Sequence, residues 1–226
     1  MKIPFEIGGC TLYLEQYNTF QEKEILLLDS FEVHSVDAVF DILNFNCPEG
    51  LTQDEKKIIL YKFREISLGD EVNVKFICEE CGQGNDGILE AGNFIIEPER
   101  NDLDIKKINQ IIQEDNLQDY VDINLDELYI IEYEKLKKRI QQNQSKINFI
   151  KSAFCLKCKK ERKFDLSSLK YIIEIMSDDT LMTLYKVYNQ MIFFGHYSKL
   201  DIDSMYPFER SVLIGLLNKT KDDLAK

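Results

Sequence analysis

The sequence has no tryptophan, four prolines and only two histidines among its 226 residues. Few histidines leave little material for a histidine-based catalytic triad or a histidine-rich metal site. His34 and His196 lie far apart in the chain, without an acid or nucleophile at a recognisable spacing, and both are expected to be structural. Walker loops and the GxGxxG, HExxH and GxSxG motifs are also missing. The sequence therefore gives no support for enzymatic activity.

Long apolar runs and an excess of positive charge are missing as well. No stretch approaches the ~20 apolar residues of a membrane span, and the N-terminus lacks the basic and apolar segments of a signal peptide. The 28 Lys and Arg residues are outnumbered by 40 Asp and Glu residues, for a formal net charge of −12. That charge opposes unaided binding to nucleic-acid phosphates or anionic membranes. We expect a soluble cytosolic protein with no membrane contact, for which nucleic acid is a disfavoured partner.

The apolar periodicity along the chain predicts an α+β fold in three parts. The first part, residues 1–70, combines an N-terminal hairpin with helices. The second, residues 71–166, contains two hairpins that carry cysteines and a helical insertion at about residues 101–145 between them. The third, residues 167–226, is a C-terminal helical layer.

Turn and capping residues delimit several of these elements. Gly8-Gly9 predicts a hairpin between strands at Lys2–Ile7 and Thr11–Tyr17. Helix starts are predicted at three places: Thr19 with Glu22 as a capping box, Ser35, and Thr52 with Glu55 as a second capping box. Gly69 is available as a C-cap, and Asn93 to Glu97 is expected to return as the partner of the strand before Cys78.

Two CxxC pairs are the strongest local signal. Cys78 and Cys81 form the first pair, Cys155 and Cys158 form the second, and each pair follows a predicted strand. Zn²⁺ prefers four tetrahedral ligands, and a CxxC turn lets two thiolates approach one ion at ~2.3 Å. The four cysteines therefore predict a structural Cys₄ zinc ribbon, closed to water and substrate. Cys10 and Cys47 lack ligand spacing and are expected to be buried free thiols.

The zinc interpretation has a redox alternative. The separation between Cys81 and Cys155 greatly exceeds the ~15 to 20 residues of a compact zinc site, so the ribbon must be interrupted by the helical insertion. One pair could instead be a thioredoxin-like dithiol. Neither pair, however, follows a βαβ unit at a helix N-terminus, where a reactive thiolate is stabilised.

A basic stretch at residues 135–163 supports a second functional alternative. It contains eleven Lys or Arg residues and one acidic residue, Glu161. With Phe149 or Phe154 available for base stacking, a zinc-ribbon regulator that binds nucleic acid would use this stretch. The competing interpretation, that this stretch faces the acidic stretch of residues 86–134 or solvent, is favoured by the negative charge of the whole chain.

The order of features resembles baseplate hub proteins of T-even-type contractile-tail bacteriophages. The resemblance rests on the segments ILLLDS, YKFREISLGDEVNVKFICEECG, the second CxxC and LYKVYNQMIFFGHYSKLDIDSMYPFERSVLIGLL. It covers most of residues 20–217 and leaves out the N-terminal hairpin and the helical insertion. Its matched residues are Arg64, Gly69, Cys78 and Cys81 before and within the first knuckle, and Asp203, Met205, Glu209 and Arg210 in the terminal layer.

This resemblance implies a non-enzymatic component or assembly factor of the tail baseplate hub. Such a protein is made in the cytoplasm of the infected bacterium and binds other tail proteins, either in the mature virion or only during assembly. We expect the partner-binding surface in the C-terminal layer, around Tyr206, Phe208 and Leu213. The partner, the stoichiometry and the oligomeric state do not follow from the sequence.

Overall fold

The chain folds into small antiparallel sheets and helices. A computed structural model describes residues 2–32, 35–92, 94–96 and 147–224. Within these ranges there are eight strands, arranged as four two-stranded sheets, and seven helices. The predicted α+β class is confirmed. The predicted insertion at about residues 101–145 and His34 lie outside the described residues.

The elements alternate between hairpins and helices along the chain. The N-terminal region contains β1 (Ile3–Ile7), β2 (Cys10–Leu14), α1 (Thr19–Ser30), α2 (Val36–Ile42) and α3 (Gln53–Leu68). The cysteine-bearing region contains β3 (Glu71–Ile77), β4 (Gly84–Glu90), β5 (Ile95–Ile96), β6 (Ile147–Asn148), β7 (Ile150–Phe154) and β8 (Glu161–Asp165). The C-terminal region contains α4 (Leu169–Ile175), α5 (Leu181–Gly195), α6 (Lys199–Ser204) and α7 (Pro207–Leu224).

Helix starts agree with the capping signals at two of the three predicted places. Ser35 caps α2, and Thr52 forms a capping box with Glu55 at the start of α3. The capping box predicted for Thr19 and Glu22 is wrong, because Asn18 and Gln21 cap α1 instead. Thr19 begins the helix, and both its backbone N–H and its hydroxyl donate to the Met205 carbonyl, at 2.8 and 2.9 Å. A tertiary contact therefore takes the hydroxyl that the sequence pattern assigned to the cap.

The partner of β3 also differs from the prediction. Asn93 to Glu97 was the expected return strand, but β3 pairs with β4, in a register that places Ile77 opposite Gly84. The chain reverses immediately after Cys81 because Gly82 adopts a φ of +67°, which glycine tolerates without steric cost. Ile95 and Ile96, which form β5, pair instead with β6. This pairing connects the chain that follows the first cysteine-bearing hairpin with the chain that precedes the second.

Two clusters of apolar side chains form the core. The larger cluster joins the N-terminal hairpin, α1 to α3, the inner faces of the cysteine-bearing hairpins and α4. The smaller cluster lies among α5, α6 and α7. Helix α1 lies between them, since Ile25 packs in the larger cluster and Leu26 in the smaller one. None of the helices in the described part of the chain has the length and apolar character needed to cross a membrane.

A buried arginine anchors each cluster. Arg64 of α3 donates from Nε to the Ile175 carbonyl at 2.8 Å and from its guanidinium to the carbonyls of Gly69 and Glu71. Arg210 of α7 forms an ion pair with the fully buried Glu22 of α1. Burying a guanidinium is costly unless its donors are paired, so both contacts hold distant chain segments in fixed positions.

Candidate metal centre

Each CxxC pair lies in a tight turn at the tip of a hairpin. The Cys78 N–H donates to the Gln83 carbonyl and the Gly82 N–H donates to the Cys78 carbonyl, both at 2.9 Å. The second tip repeats these bonds, from Cys155 to Lys160 and from Lys159 to Cys155, with the same lengths. The two turns, called the first and second knuckle below, therefore have the same backbone geometry.

The two knuckles bring four sulfur atoms together. The Sγ atoms of Cys78 and Cys158 are 3.5 Å apart, and those of Cys81 and Cys155 are 3.6 Å apart. All four sulfurs lie within 4.8 Å of one another. Tetrahedral zinc with Zn–S bonds of ~2.3 Å needs sulfur separations of about 3.8 Å, so the donor set has the spacing of a four-coordinate site. These four residues could hold a metal ion.

Backbone amides distinguish the two sulfurs of each knuckle. Hydrogen bonds from the backbone N–H groups of Cys158 and Lys157 lower the pKa of Cys155 to about 6. Bonds from Cys81 and Glu80 likewise lower the pKa of Cys78. At Cys158 a backbone bond from Lys160 favours the thiolate, yet the neighbouring sulfurs, Cys78 foremost, raise its pKa to about 12. In each close sulfur pair the thiolate is therefore more favoured at one cysteine, Cys78 or Cys155, than at its neighbour, Cys158 or Cys81, whose pKa is raised.

The inner faces of the hairpins pack around complementary small and large residues. The β3–β4 and β7–β8 hairpins meet where Gly87 faces Ala153, and a side chain added at Gly87 would place its Cβ 3.2 Å from the Ala153 Cβ. At the equivalent position of the other two strands of these hairpins, Phe76 of β3 and Phe164 of β8 pack edge to face with ring centroids 5.6 Å apart. The small pair permits close approach and the aromatic pair fills the wider side.

Polar contacts between the knuckles complete the site. The Asn85 side chain accepts a hydrogen bond from the Leu156 N–H at 2.9 Å. Glu79 pairs with Arg162, and Glu80 pairs with Lys160 at 3.2 Å. Sequence reasoning missed these contacts because each joins residues that are distant in the chain. One sequence signal could have pointed to these contacts: Asn85 and Arg162 each lie four residues after the second cysteine of their knuckle.

The remaining candidate cysteines and histidine lie away from the cluster. Cys10 and Cys47 are half-buried and form no disulfide, and desolvation raises the pKa of Cys47. His196 ends α5 in a left-handed conformation with a φ of +57°, which is a structural position. Of the two aromatic residues proposed for base stacking, Phe149 is buried and Phe154 is exposed. Only Phe154 is accessible to a nucleic-acid base.

The predicted partner residues differ in exposure. Phe208 is 67% exposed and Tyr206 37% exposed, whereas Leu213 packs against the smaller core cluster. Two of the three side chains are therefore available at the surface of the C-terminal layer, and the third supports the helix from beneath.

The fold and the sulfur cluster together define an α+β protein with a four-cysteine site that could hold a metal ion. Comparisons with protein-family models, with curated proteins and with solved structures found no match to this chain.

Proposed function

We propose that this protein is a non-enzymatic structural component or assembly factor of a contractile phage tail baseplate hub. It is stabilised by a structural Zn²⁺ ion at Cys78, Cys81, Cys155 and Cys158 and acts through protein–protein binding. In this proposal it functions in the cytoplasm of the host bacterium during tail assembly, with or without retention in the virion. The resemblance of the sequence to baseplate hub proteins supports the assignment to a phage tail.

The closed sulfur cluster is the observation that carries the structural role of the metal. The four cysteine sulfurs lie within 4.8 Å of one another, so an ion bound by all four would have its four-coordinate shell filled by protein. Such an ion leaves no open position at which water or substrate could be activated. Its contribution would be to fasten the two hairpins to each other.

An accumulation of exposed apolar side chains supports the binding role. Ten of the eighteen large hydrophobic residues that are exposed in the described part of the chain lie between Met182 and Leu216. On α7, Phe208, Val212 and Leu216 follow one another at intervals of four residues and share one face of the helix. Monomeric proteins rarely expose large contiguous apolar patches, and where such patches occur they mark interaction sites. We call these three residues the α7 stripe.

Metal analysis of freshly reduced protein tests the metal centre. We expect one equivalent of zinc per chain, released by a strong chelator and absent from a variant in which both Cys155 and Cys158 are serine. Iron also suits four thiolates, so the same measurement distinguishes the two metals. Less than half an equivalent of any metal would contradict the proposal.

Substitution on the α7 stripe tests the binding role. The protein is co-expressed with candidate baseplate hub proteins of a contractile-tail phage, and their co-purification is measured. Phe208→Glu should abolish co-purification of a hub protein, because a buried carboxylate without a partner is costly at an interface. Phe31→Glu, at another highly exposed phenylalanine outside the C-terminal layer, is the matched control. Equal co-purification by wild type and Phe208→Glu would exclude the α7 stripe as the binding surface.

A further inference from the structure

The two knuckles contact each other through equivalent positions. Asn85 lies four residues after Cys81 and reaches Leu156, the residue that follows Cys155. Arg162 lies four residues after Cys158 and reaches Glu79, the residue that follows Cys78. The cross-contacts are therefore reciprocal: the return strand of each hairpin contacts the knuckle of the other.

Asn85 connects both knuckles with a single side chain. Its Nδ2 donates to the Gln83 carbonyl in the first knuckle at 2.8 Å, and its Oδ1 accepts from the Leu156 N–H in the second knuckle at 2.9 Å. Asn85 is only 5% exposed although it is polar, so its hydrogen bonds are sheltered from water. Loss of either partner would leave a buried polar group unpaired.

The reciprocal contact of Arg162 lies in a different environment. The side chains of Glu79 and Arg162 are 78% and 44% exposed. Exposed ion pairs contribute little, because water and salt screen them. The two contacts occupy equivalent positions but should differ in strength, with Asn85 dominant.

We propose that Asn85 is a positioning residue for the metal centre, which holds the two knuckles in the register that gathers their four sulfurs. The proposal rests on the metal centre described above. Because Asn85 fixes the Leu156 amide, it fixes the peptide that follows Cys155 and hence the direction of the Cys155 side chain. Because the ligands are already ordered before metal binds, less conformational entropy is lost on binding, and the metal affinity is higher.

The test compares zinc affinities measured by competition with a chromophoric chelator. Asn85→Ala should weaken zinc binding about 10- to 100-fold, the range typical of residues that support metal ligands. Asn73→Ala makes the same change on the exposed side of the same hairpin and should leave the affinity unchanged. Arg162→Met should weaken binding less than about fivefold, because its ion pair is exposed.

Cobalt substitution and amide exchange separate positioning from general stability. The Co²⁺-loaded Asn85→Ala protein should show an altered d–d spectrum, whereas a variant that is only less stable would keep the wild-type spectrum. In the zinc-loaded wild type the Leu156 amide should exchange slowly, a measurement that requires no variant to fold. Wild-type affinity or a wild-type spectrum in Asn85→Ala, or rapid exchange at Leu156 in the wild type, would overturn the proposal. A wild-type chain that binds no metal would instead overturn the metal centre itself.

Discussion

Arg210 shows how one side chain can control the position of three segments. Its guanidinium pairs with Glu22 of α1, donates to the Thr19 hydroxyl at 3.1 Å and contacts Asp179 before α5 at 3.3 Å. Ser177 donates to the same Glu22 carboxylate at 2.6 Å. Desolvation alone would lower the pKa of Arg210, but hydrogen bonding and charge attraction by Glu22 more than offset this and raise it. The arginine is therefore charged, and both terminal nitrogens of its guanidinium are paired inside the protein.

Arg210→Met should destabilise the protein by about 3 to 5 kcal/mol, because it leaves the Glu22 carboxylate buried without its partner. Lys219→Met, which removes a positive charge from an exposed position of the same helix, is the control and should change stability by less than about 0.5 kcal/mol. Urea denaturation measures both. The double variant Glu22→Leu/Arg210→Met should recover part of the loss, since it removes both charges together. A loss below about 1 kcal/mol in Arg210→Met would contradict this account.

Lys159 is a local source of strain in the second knuckle. It has a φ of +59°, and the equivalent residue of the first knuckle is Gly82, with a φ of +67°. A side chain with a Cβ is disfavoured in this left-handed region, whereas glycine is not. The two knuckles thus require the same left-handed backbone conformation after their second cysteine. Only the first knuckle has glycine at that position.

Lys159→Gly should therefore stabilise the metal-loaded protein by up to about 1 kcal/mol, or about 2 to 4 °C in melting temperature for a chain of this size. Lys159→Ala keeps the strain but removes the charge, and it serves as the control for the electrostatic effect. Differential scanning calorimetry measures both changes. A lower melting temperature for Lys159→Gly than for Lys159→Ala would show that backbone strain does not decide stability at this position.

Among the elements, the cysteine-bearing hairpins depend on each other. Each is a two-stranded sheet, which is marginally stable alone in water. They share the Gly87–Ala153 contact, the Phe76–Phe164 contact and the sulfur cluster. Loss of the metal should therefore loosen both hairpins rather than only the one that carries the altered ligand.

Cys155→Ser should abolish metal retention and lower the free energy of unfolding by at least about 3 kcal/mol, because metal binding energy is folding energy in such sites. Hydrogen exchange should accelerate in β3 and β4 as well as in β7 and β8. Cys47→Ser, at a half-buried cysteine outside the cluster, should retain the metal. Accelerated exchange confined to β7 and β8 would show that the first hairpin is stable by itself.

Local signals in the sequence predicted elements better than contacts between elements. The CxxC spacing identified all four clustered cysteines. Ser35 and Thr52 cap the starts of α2 and α3, and Gly69 caps the end of α3, as their sequence positions predict. The errors arose where tertiary contacts compete with local patterns: Met205 takes the Thr19 hydroxyl, and the tight turn at Gly82 starts the return strand earlier than predicted. Arg210 was singled out only through the resemblance and Asn85 not at all, and the contacts of both could not be predicted because their partners are far away in the chain.

For the whole molecule, the C-terminal helix is part of the core as well as a candidate binding surface. One face of α7 carries the exposed α7 stripe, while Arg210, Leu213 and Leu217 face the interior. A deletion therefore cannot separate the two roles, whereas substitution of Phe208 can.

Removal of residues 207–226 should prevent folding, because it exposes the smaller core cluster and leaves Glu22 without Arg210. We expect the truncated protein to aggregate or to lose its cooperative melting transition, as measured by light scattering and circular dichroism. Removal of residues 222–226 alone, which leaves the half-buried Lys221 in place, is the control and should leave melting unchanged. A soluble, cooperatively melting chain that ends at Tyr206 would contradict the core role of α7.

The pairing of Glu22 with Arg210 also fixes an order of events during synthesis. The two residues are 188 positions apart, so at about 5 to 20 residues per second the ribosome needs about 10 to 40 s to add the second after the first. Throughout that interval α7 is missing from the part of α1 that it covers, and Glu22 has no arginine with which to pair. The C-terminal layer therefore cannot reach its native arrangement on α1 before residue 210 has been synthesised.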